Sequence, residues 1–234
     1  MAHQKKIKMI DQYINQLEKV FEQHANQKIA QGQAAYMQYQ FDFFGIQAPD
    51  RQTLQKPFLI KKYLPAKEDA FKIAGILWQK PQREFQYFAM TLVEKYKNQY
   101  SIDDIAFFEE LITRKSWWDT VDFLSQKIIG HYFKIYPNKI QESIESWINS
   151  KNIWLQRTAI LFQLKYKDQT DTHLLSHIID QLKDTNTFFI NKAIGWSLRE
   201  YGKTNPAWTS DFVAQTKLHP LSRREAMRLI NKNL

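Results

Sequence analysis

Apolar residues recur along this chain with the period of a helix and never with that of a strand. Ile7, Ile10, Ile14, Leu17 and Phe21 step by three and four, which puts them on one face of a first helix. Asn26 is placed to cap a second helix reaching about Phe41, and GIQAP (45–49) reads as a stop followed by a restart. Further helices are expected at 51–63, 66–79, 82–97, 102–113, 117–136, 138–149, 152–166, 171–182, 187–201, 206–215 and 220–231. Pro65, Pro81, Ser101, Ser116, Pro137, Asp168, Asp184, Gly202 and Pro220 separate them. No segment alternates with period two for long enough to make a strand. The pattern therefore predicts an all-α protein.

The helices also repeat. An Ala-apolar step recurs at Ala89-Met90, Ala159-Ile160, Ala193-Ile194 and Ala226-Met227. The first interval is twice about 35 residues, with the helix at 117–136 in the skipped register, and the later intervals are close to that period. A period in the mid-thirties covering two helices predicts a right-handed α-solenoid of HEAT-like repeats. The whole of residues 1–234 is read as a single such domain, with N-terminal helices 1–45 capping it. In this register the second helices of the pairs line the concave side. They carry Arg83, Lys127, Arg157, Lys165, Lys192, Arg199, Arg223, Arg224 and Arg228.

Charge sharpens this picture. The chain of 234 residues carries a net +9, and residues 151–234 hold 13 basic against 7 acidic side chains. A basic concave surface suits a polyanion such as duplex DNA. Solubility charge with no partner is the alternative. Cysteine is absent, which excludes disulfides, Cys-ligated zinc, iron–sulfur clusters and thiol catalysis. The six glycines do not cluster into a dinucleotide or P-loop fingerprint. No signal peptide or apolar run of membrane-spanning length is seen, so a cytoplasmic protein without membrane contact is expected. Lys5, Lys6 and Lys8 cluster at the start of the first helix, and docking onto the solenoid end is favoured over a membrane surface.

Three segments stand out chemically. In SWWDTVD (116–122), Ser116 is a natural N-cap, Trp118 and Asp122 share a helix face, and Trp117 points elsewhere to pack. An acidic residue on a basic helix repels phosphate, which marks Asp122 as a candidate site; the alternative is a solvated carboxylate paired with a nearby Lys or Arg. In NIWLQRTAILFQLKYK (152–167), Arg157 sits among apolar residues, either snorkelling or making a charge-assisted contact. In FFINKAIGWSLREYG (188–202), Trp196 follows Gly195 with Lys192 one turn earlier; a core tryptophan is the alternative. His173 and His177 in HLLSH are four apart but lack a third ligand, and no metal site is expected.

These three segments, with AAYMQYQFDFFGIQAPDRQ (34–52), resemble the signature stretches of the AlkD family of bacterial DNA alkylation-repair glycosylases. The resemblance spans nearly the whole chain. It implies a HEAT-like solenoid, no cofactor, and duplex DNA containing alkylated bases as partner. It places a catalytic carboxylate on Asp122, aromatic contacts beside the lesion on Trp118 and Trp196, a phosphate-contacting arginine on Arg157 and a DNA-facing tyrosine on Tyr36. Lys192, Arg199, Arg223, Arg224 and Arg228 complete the expected DNA-binding set. The implied reaction is hydrolysis of the N-glycosidic bond of cationic alkylpurines such as 7-methylguanine and 3-methyladenine, without strand cleavage. A non-catalytic DNA-binding or protein-interaction scaffold of HEAT repeats is the competing class. A monomer, nucleoid-associated when bound to DNA, is expected because the function needs an open trough.

Overall fold

A computed structural model describes residues 2–230, with side chains from Ile7 onwards. The side chains of Lys5 and Lys6 and the last residue of the helix expected at 220–231 lie outside the described residues. The chain is an all-α helical-repeat protein. Among the described residues the sole β-type pairing is an isolated bridge between Asp42 and Gln82. Two compact units divide at Tyr100 and Ser101.

The N-terminal unit contains α1 (Ala2–Gln23), α2 (Gln27–Tyr36), α3 (Ala48–Gln55), α4 (Lys67–Gln79) and α5 (Arg83–Glu94). Ile10, Ile14, Leu17 and Phe21 of α1 are buried as the spacing predicts, whereas Ile7 is exposed. α1 packs against α3 and α4. Asn26 caps α2, its Oδ1 accepting from the N–H of Ile29 at 3.1 Å. That helix stops at Tyr36 rather than near Phe41. Gln38 and Tyr39 adopt left-handed backbone (φ 54° and 56°), which ends a right-handed helix without any glycine or proline to announce it. Pro57 likewise limits α3, and residues 56–63 continue as short 3₁₀ turns.

The segment beyond α2 is held by a buried carboxylate. Glu84 accepts from the N–H groups of Phe44, Gly45 and Ile46 at 3.0, 3.0 and 3.1 Å. These three donors would otherwise be unpaired in the interior. Gly45 is required there: its φ is +88°, and a Cβ would lie 2.0 Å from the Asn26 carbonyl oxygen. Gly45→Ala is therefore expected to destabilise the protein by about 3 kcal/mol or more. Urea unfolding of the two chains measures this.

The C-terminal unit contains α6 (Asp104–Thr113), α7 (Trp118–Phe123), α8 (Gly130–Ile135), α9 (Ile140–Asn149), α10 (Ile153–Leu161), α11 (Thr172–Leu182), α12 (Phe188–Tyr201), α13 (Pro206–Gln215) and α14 (Pro220–Met227). A π-helical segment, Leu124–Ile129, joins α7 to α8 in one continuous helix. Side-chain caps from Asn152, Asp171, Asn205 and His219 start α10, α11, α13 and α14. Ser116 does not cap α7. Its hydroxyl donates back to the Ile112 carbonyl, and extended Trp117 takes the N-cap position without a side-chain bond.

The helices pack in two rows, with α9 against α11 in one and α7, α10, α12 and α14 in series in the other. The repeat period reappears as the sequence separation of the ties along that second row. Ser125 Oγ donates to Thr158 Oγ1 at 3.0 Å, 33 residues on. Tyr166 donates to the Gly130 carbonyl across 36 residues, and Lys134 Nζ to Gln169 Oε1 across 35. Ala159, Ala193 and Ala226 are fully buried, so the recurrent small residue sits where neighbouring helices approach.

Candidate active site

Asp122 and Arg157 meet across the second row. Asp122 stands at the end of α7, two residues before the π-helical segment. Arg157 lies in the middle of α10. The guanidinium donates through Nε to Asp122 Oδ1 at 2.7 Å and through Nη2 to Oδ2 at 2.9 Å. Its Nη1 donates to the carbonyl of Phe189 on the first turn of α12. Three successive second-row helices thus converge on one guanidinium. The Ser125–Thr158 bond runs alongside and fixes the register between the same two helices. A π-turn adds one residue to a helical turn and rotates the residues beyond it, so the register at Ser125 is set independently of that at α8.

This placement bears on both alternatives that spacing left open. Asp122 is paired with an arginine, but it is not a solvated surface residue: its side chain is 15% exposed, and that of Arg157 is 5% exposed. Arg157 is therefore the partner of Asp122, with three of its donors committed within the protein. Burial pushes the Asp122 carboxyl above the ordinary aspartate value, and the hydrogen bonds and charge of Arg157 pull it partly back. Asp122 is the more exposed member of the pair.

Aromatic side chains build the walls. Trp117 turns inward from Trp118 as expected, stacking obliquely on Trp154 (5.8 Å) and edge-on to Phe189 (5.1 Å). Trp154 and Phe189 are 4.9 Å apart, which closes a triangle behind Arg157 and braces the Phe189 carbonyl. Trp118 and Trp196 are half-buried rather than core residues. Trp118 lies one turn before Asp122, and Trp196 lies two turns after Phe189.

The remaining expected site residues are spread more widely. Lys192 and Arg199 flank Trp196 on α12, and both reach Glu225 of α14. Arg223, Arg224 and Arg228 are exposed, and Arg223 Nη2 donates to the Thr216 carbonyl at 3.1 Å. Tyr36 is 71% exposed at the end of α2 in the N-terminal unit. Arg83 does not belong to a basic surface. It is fully buried with its guanidinium 3.8 Å from the centre of the Phe41 ring. Lys165 lies past the end of α10, paired with Glu200.

His177 pairs with Glu145 at 2.9 Å, and among the described residues no group of three His, Cys, Asp or Glu is assembled for a metal. A cavity of about 280 Å³ lies beside Lys165 and Glu200, and another of about 580 Å³ beside His173 and His177. Neither is lined by Asp122, Trp118 or Trp196.

Residue spacing did not reveal the Phe189 carbonyl, the Ser125–Thr158 tie or Glu225. A signal for two of them was present: 125 and 158, like 192 and 225, are separated by about one repeat.

These features define an all-α helical-repeat protein in which a largely buried Asp–Arg pair joins neighbouring helices of the second row. The chain belongs to the family described as DNA alkylation repair enzyme, whose sequence profile matches residues 17–230. Among solved structures it is similar to a predicted DNA alkylation repair enzyme from Enterococcus faecalis, at 35% identity and a TM-score of 0.83. That similarity covers 89% of this chain and 97% of the other. No curated protein matches the chain. Among the described residues no helix is long and apolar enough to cross a membrane.

Proposed function

We propose that the chain is a monofunctional DNA glycosylase that hydrolyses the N-glycosidic bond of cationic alkylpurines in duplex DNA. The observation that carries this reading is the Asp122–Arg157 pair, a largely buried carboxylate fixed by two hydrogen bonds and more exposed than its partner.

A purine alkylated at N7 or N3 is positively charged. When the bond from its nitrogen to the sugar breaks, the electron pair goes to the base, which leaves neutral. Protonation of the leaving group is therefore dispensable, and the second carboxylate of ordinary glycoside hydrolysis is not required. Positive charge moves onto the deoxyribose instead. Asp122 stabilises that charge and orients a water, whose oxygen bonds to the sugar carbon while its proton passes to the carboxylate or to solvent. The products are a free base and an abasic site. A fixed carboxylate about 4 Å from the developing cation contributes on the order of 4 kcal/mol at an effective dielectric constant of 20.

Trp118 and Trp196 would hold the sugar and exclude bulk water. Lys192, Arg199, Arg223, Arg224 and Arg228, with Tyr36, would contact the strand. Selection then rests on the lability of the cationic nucleoside, which favours 7-methylguanine and 3-methyladenine and tolerates larger N-alkyl groups. The protein works as a monomer, with the DNA of the bacterial cytoplasm.

Trp118→Ala and Trp196→Ala are each expected to slow base release from methylated duplex by at least about tenfold. Their unfolding temperatures should change little, because both side chains are only half-buried. Loss of activity in parallel with loss of fold would instead make them structural. Binding to unmodified duplex should weaken with salt at a log–log slope near about −4.5 if about five phosphates are contacted. A flat response would favour a protein-interaction scaffold.

A further inference from the structure

The glycosylase reading leaves one acidic residue unexplained. Glu225 is the one acidic side chain after Asp211, in a stretch that carries Lys217, Arg223, Arg224, Arg228 and Lys232. It nevertheless occupies the middle of the proposed DNA face. Its Oε1 accepts from Lys192 Nζ at 2.9 Å, and its Oε2 accepts from Arg199 Nη1. Lys192, Trp196 and Arg199 stand at i, i+4 and i+7 on α12, so one face of that helix presents a cation on either side of the tryptophan. Seven residues of helix span about 10 Å, and both cations lean inward to a single carboxylate.

The seat is built into the backbone. At Gly195 a Cβ would lie 2.5 Å from Glu225 Cβ and 2.9 Å from the Ser222 carbonyl oxygen, so α14 approaches as closely as it does only because no side chain intervenes. Ser222 Oγ donates to the Asn191 carbonyl at 2.9 Å and holds α14 there. Glu225 is 13% exposed, whereas Lys192 and Arg199 are 38% and 20% exposed. The two cations hold the Glu225 carboxyl below the ordinary glutamate value.

A carboxylate taking one charge-assisted hydrogen bond on each oxygen offers the same chemistry as a backbone phosphate. We infer that Glu225 is a resident anion that occupies the Lys192–Arg199 phosphate seat in the free protein and is displaced by the DNA backbone. It therefore acts as an internal competitor that restrains binding to undamaged duplex. The inference rests on the glycosylase reading for the identity of the displacing anion. The Glu225 backbone stays packed on Gly195, and rotation of the side chain alone frees the seat.

The test is fluorescence anisotropy with unmodified duplex, over a series of salt concentrations, on the wild-type chain, Glu225→Gln, Lys192→Gln and the double variant. Glu225→Gln is expected to tighten binding by about tenfold at low salt, the weight of one charge-assisted hydrogen bond. It should also steepen the log–log salt slope by about one, because a further cation becomes available to phosphate. Lys192→Gln should cost more affinity in the Glu225→Gln background than in the wild type.

Unchanged or weaker binding by Glu225→Gln, or an equal cost of Lys192→Gln in both backgrounds, overturns the inference. Glu225 would then orient the two cations or serve packing alone. Should Glu225→Gln lower the unfolding temperature enough to prevent assay, Glu225→Asp asks the same question. One methylene shorter, it cannot span both cations and should also tighten binding; no change in affinity overturns the inference. A wild-type chain that binds no duplex at any salt concentration would remove the glycosylase reading together with the inference. Duplex binding without a gain in the variant removes the inference only.

Discussion

Asp122→Asn is expected to slow release of 7-methylguanine and 3-methyladenine from methylated duplex by about 10²–10³-fold. The substitution keeps the shape of the side chain and leaves one oxygen to accept from Arg157. It removes the charge proposed to stabilise the sugar cation. Ground-state DNA binding should change by less than about threefold, since a carboxylate next to phosphates does not aid binding. Stability should fall by about 1–3 kcal/mol, because one guanidinium donor loses its acceptor and the other loses a charged partner. Catalysis falling while binding persists separates an enzyme from a DNA-binding scaffold. Equal loss of both would indicate that Asp122 is a structural partner of Arg157 and nothing more.

Arg157→Gln carries the second large effect. It leaves the Asp122 carboxylate 15% exposed without its counter-charge, and breaking a buried pair in this way costs about 3–5 kcal/mol. In the wild type, burial already raises the Asp122 carboxyl above its ordinary 3.8. The folded protein then holds this proton more tightly than the unfolded chain. The contribution of Asp122 to stability is thus greatest below the ordinary aspartate range and declines as pH rises towards the folded value. Without Arg157 the folded value rises further, so the decline extends to higher pH. Urea unfolding across the acid range should show this steeper decline in Arg157→Gln, and Asp122→Asn in the same background should abolish it. The acid limb of base release should move upward with it, because catalysis needs the ionised carboxylate. An unmoved acid limb would mean that Arg157 does not tune Asp122.

Much of the architecture is legible in local sequence because its signals are local. Asn152, Asp171 and Asn205 announce their helices through caps, and Pro137 and Pro220 end or begin others. Ala159, Ala193 and Ala226 mark helix contacts through a period that survives folding as the spacing of cross-helix bonds. The SWWDTVD motif singled out Asp122 and Trp118 as candidates. What spacing left open has a different cause. Arg157 is buried, and helical periodicity does not say whether a long side chain turns outwards to phosphate or inwards to a carboxylate. Arg83 has the same ambiguity and resolves it by stacking on Phe41, which lies in the left-handed-turn segment that cut α2 short. That cut depends on exposed non-glycine residues at positive φ, Gln38 and Tyr39, whose N–H groups donate back to the carbonyls of Ala35 and Ala34. Glu225 reads as an ordinary surface charge until α14 is brought against Gly195.

Cleavage of the bond between a cationic base and its sugar is the reaction expected of this protein. The most direct measurement is chromatography of the products after incubating the wild-type chain with N-methylated duplex DNA, set against DNA without protein. Free 7-methylguanine and 3-methyladenine released well above the uncatalysed rate, from strands left uncut at the abasic site, is the predicted result. Release no faster than in buffer, or strand cleavage accompanying base loss, would contradict it.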